Sequence, residues 1–134
     1  MYSIINHFRP YARVLLAFWV ILIIVLAVMS DIDVPRVIRG RLNIRLDYPI
    51  HFLEHTSLAI LAMISFINIG FRQQAGRALR LLGFLILFAI FTEMLQLMVP
   101  SRTFEFRDMG LNIMGSIFGT LITMILYTGK KDTN

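Results

Sequence analysis

The sequence predicts an all-α, polytopic membrane protein: four transmembrane helices with a short amphipathic outer loop, in one domain of 134 residues. Three observations predict it. Hydrophobic residues make up 57% of the chain and the mean hydropathy is +0.74, which leaves too little polar surface to cover an aqueous core, so the surplus must face lipid. Four apolar runs, at about 11–30, 50–71, 79–99 and 109–127, approach the ~20 residues that a bilayer-crossing helix needs. The net charge of +5 comes from basic residues that flank those runs and form no continuous stripe. That placement suits anionic membrane lipids and argues against nucleic acid as a partner. With no cysteine, the chain has no disulfide, thiol nucleophile or thiolate metal site.

The first run follows Arg9 and Arg13. Its apolar core, Val14 to Met29, is long for a signal peptide and reads as a retained span. An even number of spans puts both termini and the 72–80 loop on one side. By Lys and Arg count, that side carries seven and the other side six. The flanks of the first span break this near tie. Two arginines precede it, and Asp31 and Asp33 follow. The expected placement is the bacterial inner membrane, with both termini cytoplasmic.

Residues 31–49, "DIDVPRVIRGRLNIRLDYP", form the amphipathic outer loop. Two readings are open. Asp33 could cap a short helix, with Pro35 in its first turn and Gly40 just past its end. Alternatively, Arg41, Asn43, Arg45 and Asp47 alternate with Leu42, Ile44 and Leu46 in a period of two.

The second run opens with His51, Glu54 and His55, which lie on one helix face by their i, i+3, i+4 spacing. "HFLEH" is also a literal H-x-x-E-H, a zinc-protease pattern in which His51 and His55 would ligate, Glu54 would act as base and Glu93 would be the third ligand. The pattern fixes three residue types in five, so chance produces it often. No metal and no other cofactor is expected. Ser65, deeper in the run, and Asn68 read as helix–helix contacts.

The third run ends, and the fourth begins, in "TEMLQLMVPSRTFEFRDMGLN", residues 92–112. Glu93 and Gln96 share a face at i, i+3; Asp108, Asn112 and Ser116 share one at i, i+4, i+8. Pro100 disfavours helix at Val99 and should stop the third helix there. "PSRTFEFRD" then reads as a short re-entrant turn that returns Arg102 toward the polar faces and starts the fourth helix near Asp108. Gly115 and Gly119 form a GxxxG step that reads as a close-packing site.

Depth brings these groups together. Glu93 lies 13 residues from Arg80, about 20 Å along a helix that rises ~1.5 Å per residue. The same measure puts Gln96, Asn112, His55 and Glu54 about 24–27 Å up, and His51 and Asp108 about 32 Å up. Against a ~30 Å hydrocarbon core, three helices would present polar faces at one level, open toward one side of the membrane. Charged groups at that depth cost ~2.5–3.5 kcal/mol each on insertion scales, so they should face inward and serve a function. Every basic residue before Lys130 is arginine, the residue that grips phosphate or carboxylate through two parallel hydrogen bonds. Arg102 and Arg107 flank the mouth of the expected pocket.

These residues carry a resemblance. The chain resembles the VanZ-like membrane protein family over roughly residues 47–119. That family's pattern starts with an Asp-Lys pair, then His-Phe and a Tyr at the head of a span. It continues with Glu-x-x-Gln at the end of another span and a Pro-Gly-Arg turn. Asp, Asn and two Gly then enter the last span. Asp47, His51, Phe52, Glu93, Gln96, Pro100, Arg102, Asp108, Asn112, Gly115 and Gly119 match it. Tyr48, His55 and Ser101 depart from it, standing where Lys, Tyr and Gly are usual. The family's namesake is associated with low-level resistance to the glycopeptide teicoplanin; the resemblance implies no particular reaction.

Three expectations follow. In the first, the pocket of Asp47, His51, Glu93, Gln96, Arg102, Arg107, Asp108 and Asn112 binds an anionic amphiphile, such as a lipid-linked cell-envelope precursor or a glycopeptide antibiotic. In the second, the chain is an intramembrane enzyme acting on such a lipid, with His51 and Glu93 as acid and base and Asp47 orienting His51. In the third, it is a structural subunit of an envelope complex, with the polar set as internal glue.

Overall fold

The structure is a computed structural model that describes residues 2–29, 36–39, 42–45, 47–66, 71–100 and 104–128. Four helices dominate it: α1 (Tyr2–Val28), α2 (Asp47–Phe66), α3 (Phe71–Gln96) and α4 (Phe106–Thr128). All four are long and apolar enough to cross a membrane, over Phe8–Val28, Tyr48–Phe66, Ala75–Gln96 and Phe106–Leu126. Inside hydrocarbon the helix is what satisfies every backbone N–H and C=O within one segment. The many exposed leucines, phenylalanines and methionines along the helices are the lipid face of a membrane protein.

The outer loop between α1 and α2 settles the choice between its two readings. The strands β1 (Arg36–Arg39) and β2 (Leu42–Arg45) pair antiparallel, with Arg36 opposite Arg45 and Arg39 opposite Leu42. The capped-helix alternative fails across 36–39. Val37, Ile38 and Ile44 are β-branched and favour extended backbone, and the period-two pattern runs through β2. Asp33 and Pro35, on which the capped helix rested, lie outside the described residues.

The helices depart from the expected runs at several ends: α1 starts at Tyr2, before the run at 11, α2 ends at Phe66, before 71, and α3 differs at both ends. The third helix begins at Phe71, eight residues before the apolar run, because a helix can carry Arg72, Arg77 and Arg80 out past the hydrocarbon edge. It ends at Gln96 and not at Val99. Leu97, Met98 and Val99 donate instead to the carbonyls of Met94, Leu95 and Gln96 at 3.2, 3.0 and 3.0 Å. These i→i−3 bonds tighten the last turn, as expected where the residue before proline is pushed out of α geometry.

The closest helix pair is α2 with α4. Both run from the outer-loop side toward the opposite end, so they are parallel. Gly115 and Gly119 make the approach possible. A Cβ on Gly115 would overlap the Phe52 carbonyl oxygen, and one on Gly119 would stand 2.5 Å from the Thr56 carbonyl and 2.9 Å from Ala59 Cβ. The GxxxG step of α4 therefore lies directly on the α2 backbone from Phe52 to Ala59. The Thr56 hydroxyl donates within α2 to Phe52 O at 2.7 Å and lies 3.2 Å from Gly115 O of α4.

The apolar centre sits deeper, where Ile23 of α1, Leu58, Ala59 and Ala62 of α2, and Leu85 of α3 are buried together. Leu16, Trp19, Val20, Leu81 and Phe88 pack around them. Trp19 also ties α1 to α2 by donating its indole N–H to the Glu54 carbonyl at 3.0 Å. A tryptophan partly buried against apolar neighbours needs a partner for that N–H, and here it is main chain.

Candidate functional site

Above the apolar centre, toward the outer loop, polar side chains of α2, α3 and α4 turn inward. Glu93 and Ser116 are fully buried at 0% exposure, and His55 and Asn112 at 1%. Gln96 and Asp108 are also buried. This is the opposite of the lipid-facing pattern around them.

The deeper level is built on a pair. The Asn112 amide Nδ2 of α4 donates to Glu93 Oε1 of α3 at 2.8 Å. Two helices converge here because each carries its polar residue at a depth where lipid offers no alternative partner. One turn on, Ser116 donates to the Asn112 carbonyl at 3.0 Å. Such i→i−4 back-bonding lets a hydroxyl face an apolar neighbour with its donor satisfied. His55 of α2 packs its ring against Phe88 of α3 with centroids 6.4 Å apart. Neither His55 ring nitrogen has a hydrogen-bond partner among the described residues, and neither does Asn112 Oδ1. The His51 main chain approaches His55 from the turn before, outside hydrogen-bond geometry.

The outer level holds His51, Gln96 and Asp108. His51 Nε2 stands 3.9 Å from Asp108 Oδ2, a contact between helices that is too long for a hydrogen bond. Gln96 is one turn outward from Glu93 on α3. Asp108 lies in the first turn of α4, whose start is closed by Asp108 and Met109 donating to the Glu105 carbonyl at 3.1 and 3.3 Å. A carboxylate there offsets the exposed N–H groups of a helix start. Before it, the Phe104 and Phe106 rings meet edge to face at 4.8 Å.

Arg107 is exposed at the rim, with its guanidinium hydrogen-bonded to the Tyr48 side chain of α2. Tyr48 is one of the departures from the family pattern, and it links the heads of α2 and α4. Asp47 begins α2, but its side chain lies outside the described part of the structure, as do Arg102 and Ser101 altogether. The structure thus brings together six of the eight expected site residues at the outer end of α2, α3 and α4: His51, Glu93, Gln96, Arg107, Asp108 and Asn112.

Glu54, on the same helix one turn after His51, also approaches α1. It is partly buried, its carbonyl accepts from Trp19 of α1, and its carboxylate makes no hydrogen bond or ion pair among the described residues. Among the described residues no three His, Asp or Glu side chains converge closely enough to hold a metal ion, so "HFLEH" does not assemble as a ligand set.

Several buried polar residues escaped the sequence reading. Thr120 and Thr123 extend the α4 face, and Thr123 donates to the Gly119 carbonyl at 2.7 Å. The i+4 ladder through Asp108, Asn112 and Ser116 predicts Thr120 if continued one more step. Thr92 and Thr56 are buried as well, and both return their hydroxyls to their own helix. Ser65, expected as a helix–helix contact, is buried with no partner for its hydroxyl among the described residues; only its carbonyl is reached, by Arg13 Nε at 3.5 Å.

These features define a class: a four-span helical membrane protein with a buried polar cluster at one end of α2, α3 and α4. A family model described as VanZ/LLP1 matches residues 12–127, nearly the whole chain, and the chain belongs to that family. Searches of curated proteins and of solved structures found no match.

Proposed function

We propose that the polar cluster is a binding site for the headgroup of an anionic amphiphile, such as a lipid-linked cell-envelope precursor or a glycopeptide antibiotic. The observation that supports this best is the pair of buried groups with spare hydrogen-bonding capacity. His55 has both ring nitrogens, and Asn112 its Oδ1, without a partner among the described residues, at 1% exposure each. An unpaired buried polar atom costs about 1–3 kcal/mol. Helices held together by polar glue alone would have used these atoms, so the structural-subunit reading accounts for them less well. In the binding reading they meet hydroxyl or amide groups of the ligand. Glu93, Gln96 and Asp108 supply acceptors, and Arg107 at the rim holds phosphate or carboxylate, together with Arg102. The site would open toward the outer face of the bacterial inner membrane, with both termini cytoplasmic.

A second reading, an intramembrane enzyme, draws on the His51–Asp108 contact at 3.9 Å. There, His51 and Glu93 would act as acid and base, and Asp108 beside His51 would join Asp47 in orienting it. Native mass spectrometry of protein purified in mild detergent tests the binding reading. A co-purifying anionic amphiphile is expected on the wild type and is lost from Glu93→Gln, while both insert and stay monodisperse. Equal retention by Glu93→Gln would refute the binding reading. Conversion of the bound species during incubation, abolished by His51→Ala, would favour the enzyme.

A further inference from the structure

At the other end of the molecule, a groove of about 250 Å³ lies between the end of α2 and the beginning of α3. It is lined by Phe66, Arg77, Arg80, Leu81 and Phe84. Arg77 lies 16 residues before Glu93 on α3, about 24 Å away at ~1.5 Å per residue, so the groove is near the opposite membrane surface and separate from the polar cluster. Arg77 and Arg80 are three apart and share a helix face. Both are exposed, and neither forms an ion pair among the described residues. The Arg80 Nε–H donates to the Gly76 carbonyl at 3.3 Å, which steadies the guanidinium; its two terminal nitrogens have no partner among the described residues. Phe66 and Phe84 are 59% and 69% exposed.

We propose that this groove holds one anionic phospholipid from the leaflet opposite the polar cluster. The phosphate sits on the two guanidiniums, which match its oxygens in pairs, and an acyl chain runs along Phe66, Leu81 and Phe84. Charge selects the lipid. The acidic residues with described side chains are Glu54, Glu93, Glu105 and Asp108, and none of them lines this groove. A zwitterionic lipid would bring an ammonium toward two uncompensated cations. A phosphatidylglycerol or cardiolipin headgroup neutralises them. The apolar wall argues for a lipid over a free anion, because two exposed phenyl rings at a membrane surface gain nothing from inorganic phosphate.

The test uses the full chain in mild detergent, titrated separately with phosphatidylglycerol, cardiolipin, phosphatidylethanolamine and inorganic phosphate, and read by native mass spectrometry and thermal melting. One phosphatidylglycerol or cardiolipin should bind at least tenfold more tightly than phosphatidylethanolamine. Arg77→Gln/Arg80→Gln should abolish that preference, while Arg77→Lys/Arg80→Lys should weaken binding severalfold and keep the preference. Glu93→Gln should leave this binding unchanged, which separates it from the ligand proposed for the polar cluster. Equal affinity for phosphatidylethanolamine, saturation by inorganic phosphate with the same stabilisation, or an unchanged preference in the glutamine pair would each overturn the proposal. If the glutamine pair does not fold, wild-type affinity in the lysine pair would overturn it as well.

Discussion

Gly119→Ala puts one methyl group where α4 rests on the α2 backbone. Its Cβ would lie 2.5 Å from the Thr56 carbonyl oxygen and 2.9 Å from Ala59 Cβ, against an ordinary contact of 3.4–4 Å. Main chain cannot turn aside as a side chain can, so the two helices must part by about 1 Å at this level. That displacement carries the 3.2 Å contact from the Thr56 hydroxyl to Gly115 O beyond hydrogen-bond range. Overpacking costs about 1–3 kcal/mol, and a hydrogen bond between transmembrane helices adds about 0.6 kcal/mol. The better helix propensity of alanine returns at most about 1 kcal/mol. The net expectation is a loss of about 1–3 kcal/mol, and Gly115→Ala, which meets Phe52 O more closely still, should lose at least as much. Trp19, the only tryptophan, reports from the α1–α2 contact, so its fluorescence during titration with a denaturing detergent measures the unfolding midpoint. Gly83→Ala is the internal control, since nothing lies within 4 Å of its Cβ position and it should unfold no earlier than wild type. If Gly119→Ala and Gly83→Ala unfold together within about 0.5 kcal/mol, the close α2–α4 contact is refuted.

Asn112→Ala removes the donor that Glu93 Oε1 accepts at 2.8 Å and should cost about 1–3 kcal/mol; Asn112→Asp, which sets a carboxylate against Glu93, should cost more, and the order of the two variants in the same unfolding assay checks this. Trp19→Phe keeps the apolar contact with the Leu58 cluster but loses the bond to Glu54 O, so it should cost about 1 kcal/mol in thermal melting with the helical circular dichroism unchanged. The absence of native cysteine makes topology directly measurable. In intact cells Asn43→Cys should react with a membrane-impermeant maleimide and Gln73→Cys should not; the reverse pattern would turn the molecule over in the membrane.

Four spans were legible in the sequence because lipid imposes one strong requirement, about twenty apolar residues per crossing. The polar cluster was legible for a related reason: His51, Glu93, Gln96, Asp108 and Asn112 are too costly in hydrocarbon to face outward, and helical spacing shows which of them share a face. Which helices touch was not legible in that way. A transmembrane helix can be apolar all round, so no amphipathic stripe points to its neighbour. The parallel pairing of α2 with α4 was decided by where two glycines meet the Phe52 and Thr56 carbonyls. Pairwise assignments inside the cluster needed the fold for the same reason. Glu93 could have met any of several donors, and the approach of α3 to α4 selected Asn112. His51 could have paired with Asp47 by proximity in sequence, yet the packing of α2 on α4 also sets it opposite Asp108. The outer hairpin shows the remaining case, where a capping signal and a period-two signal coexist in one short segment. The pairing of Val37 with Ile44 settled it, because a strand becomes stable only when a second strand accepts its backbone hydrogen bonds.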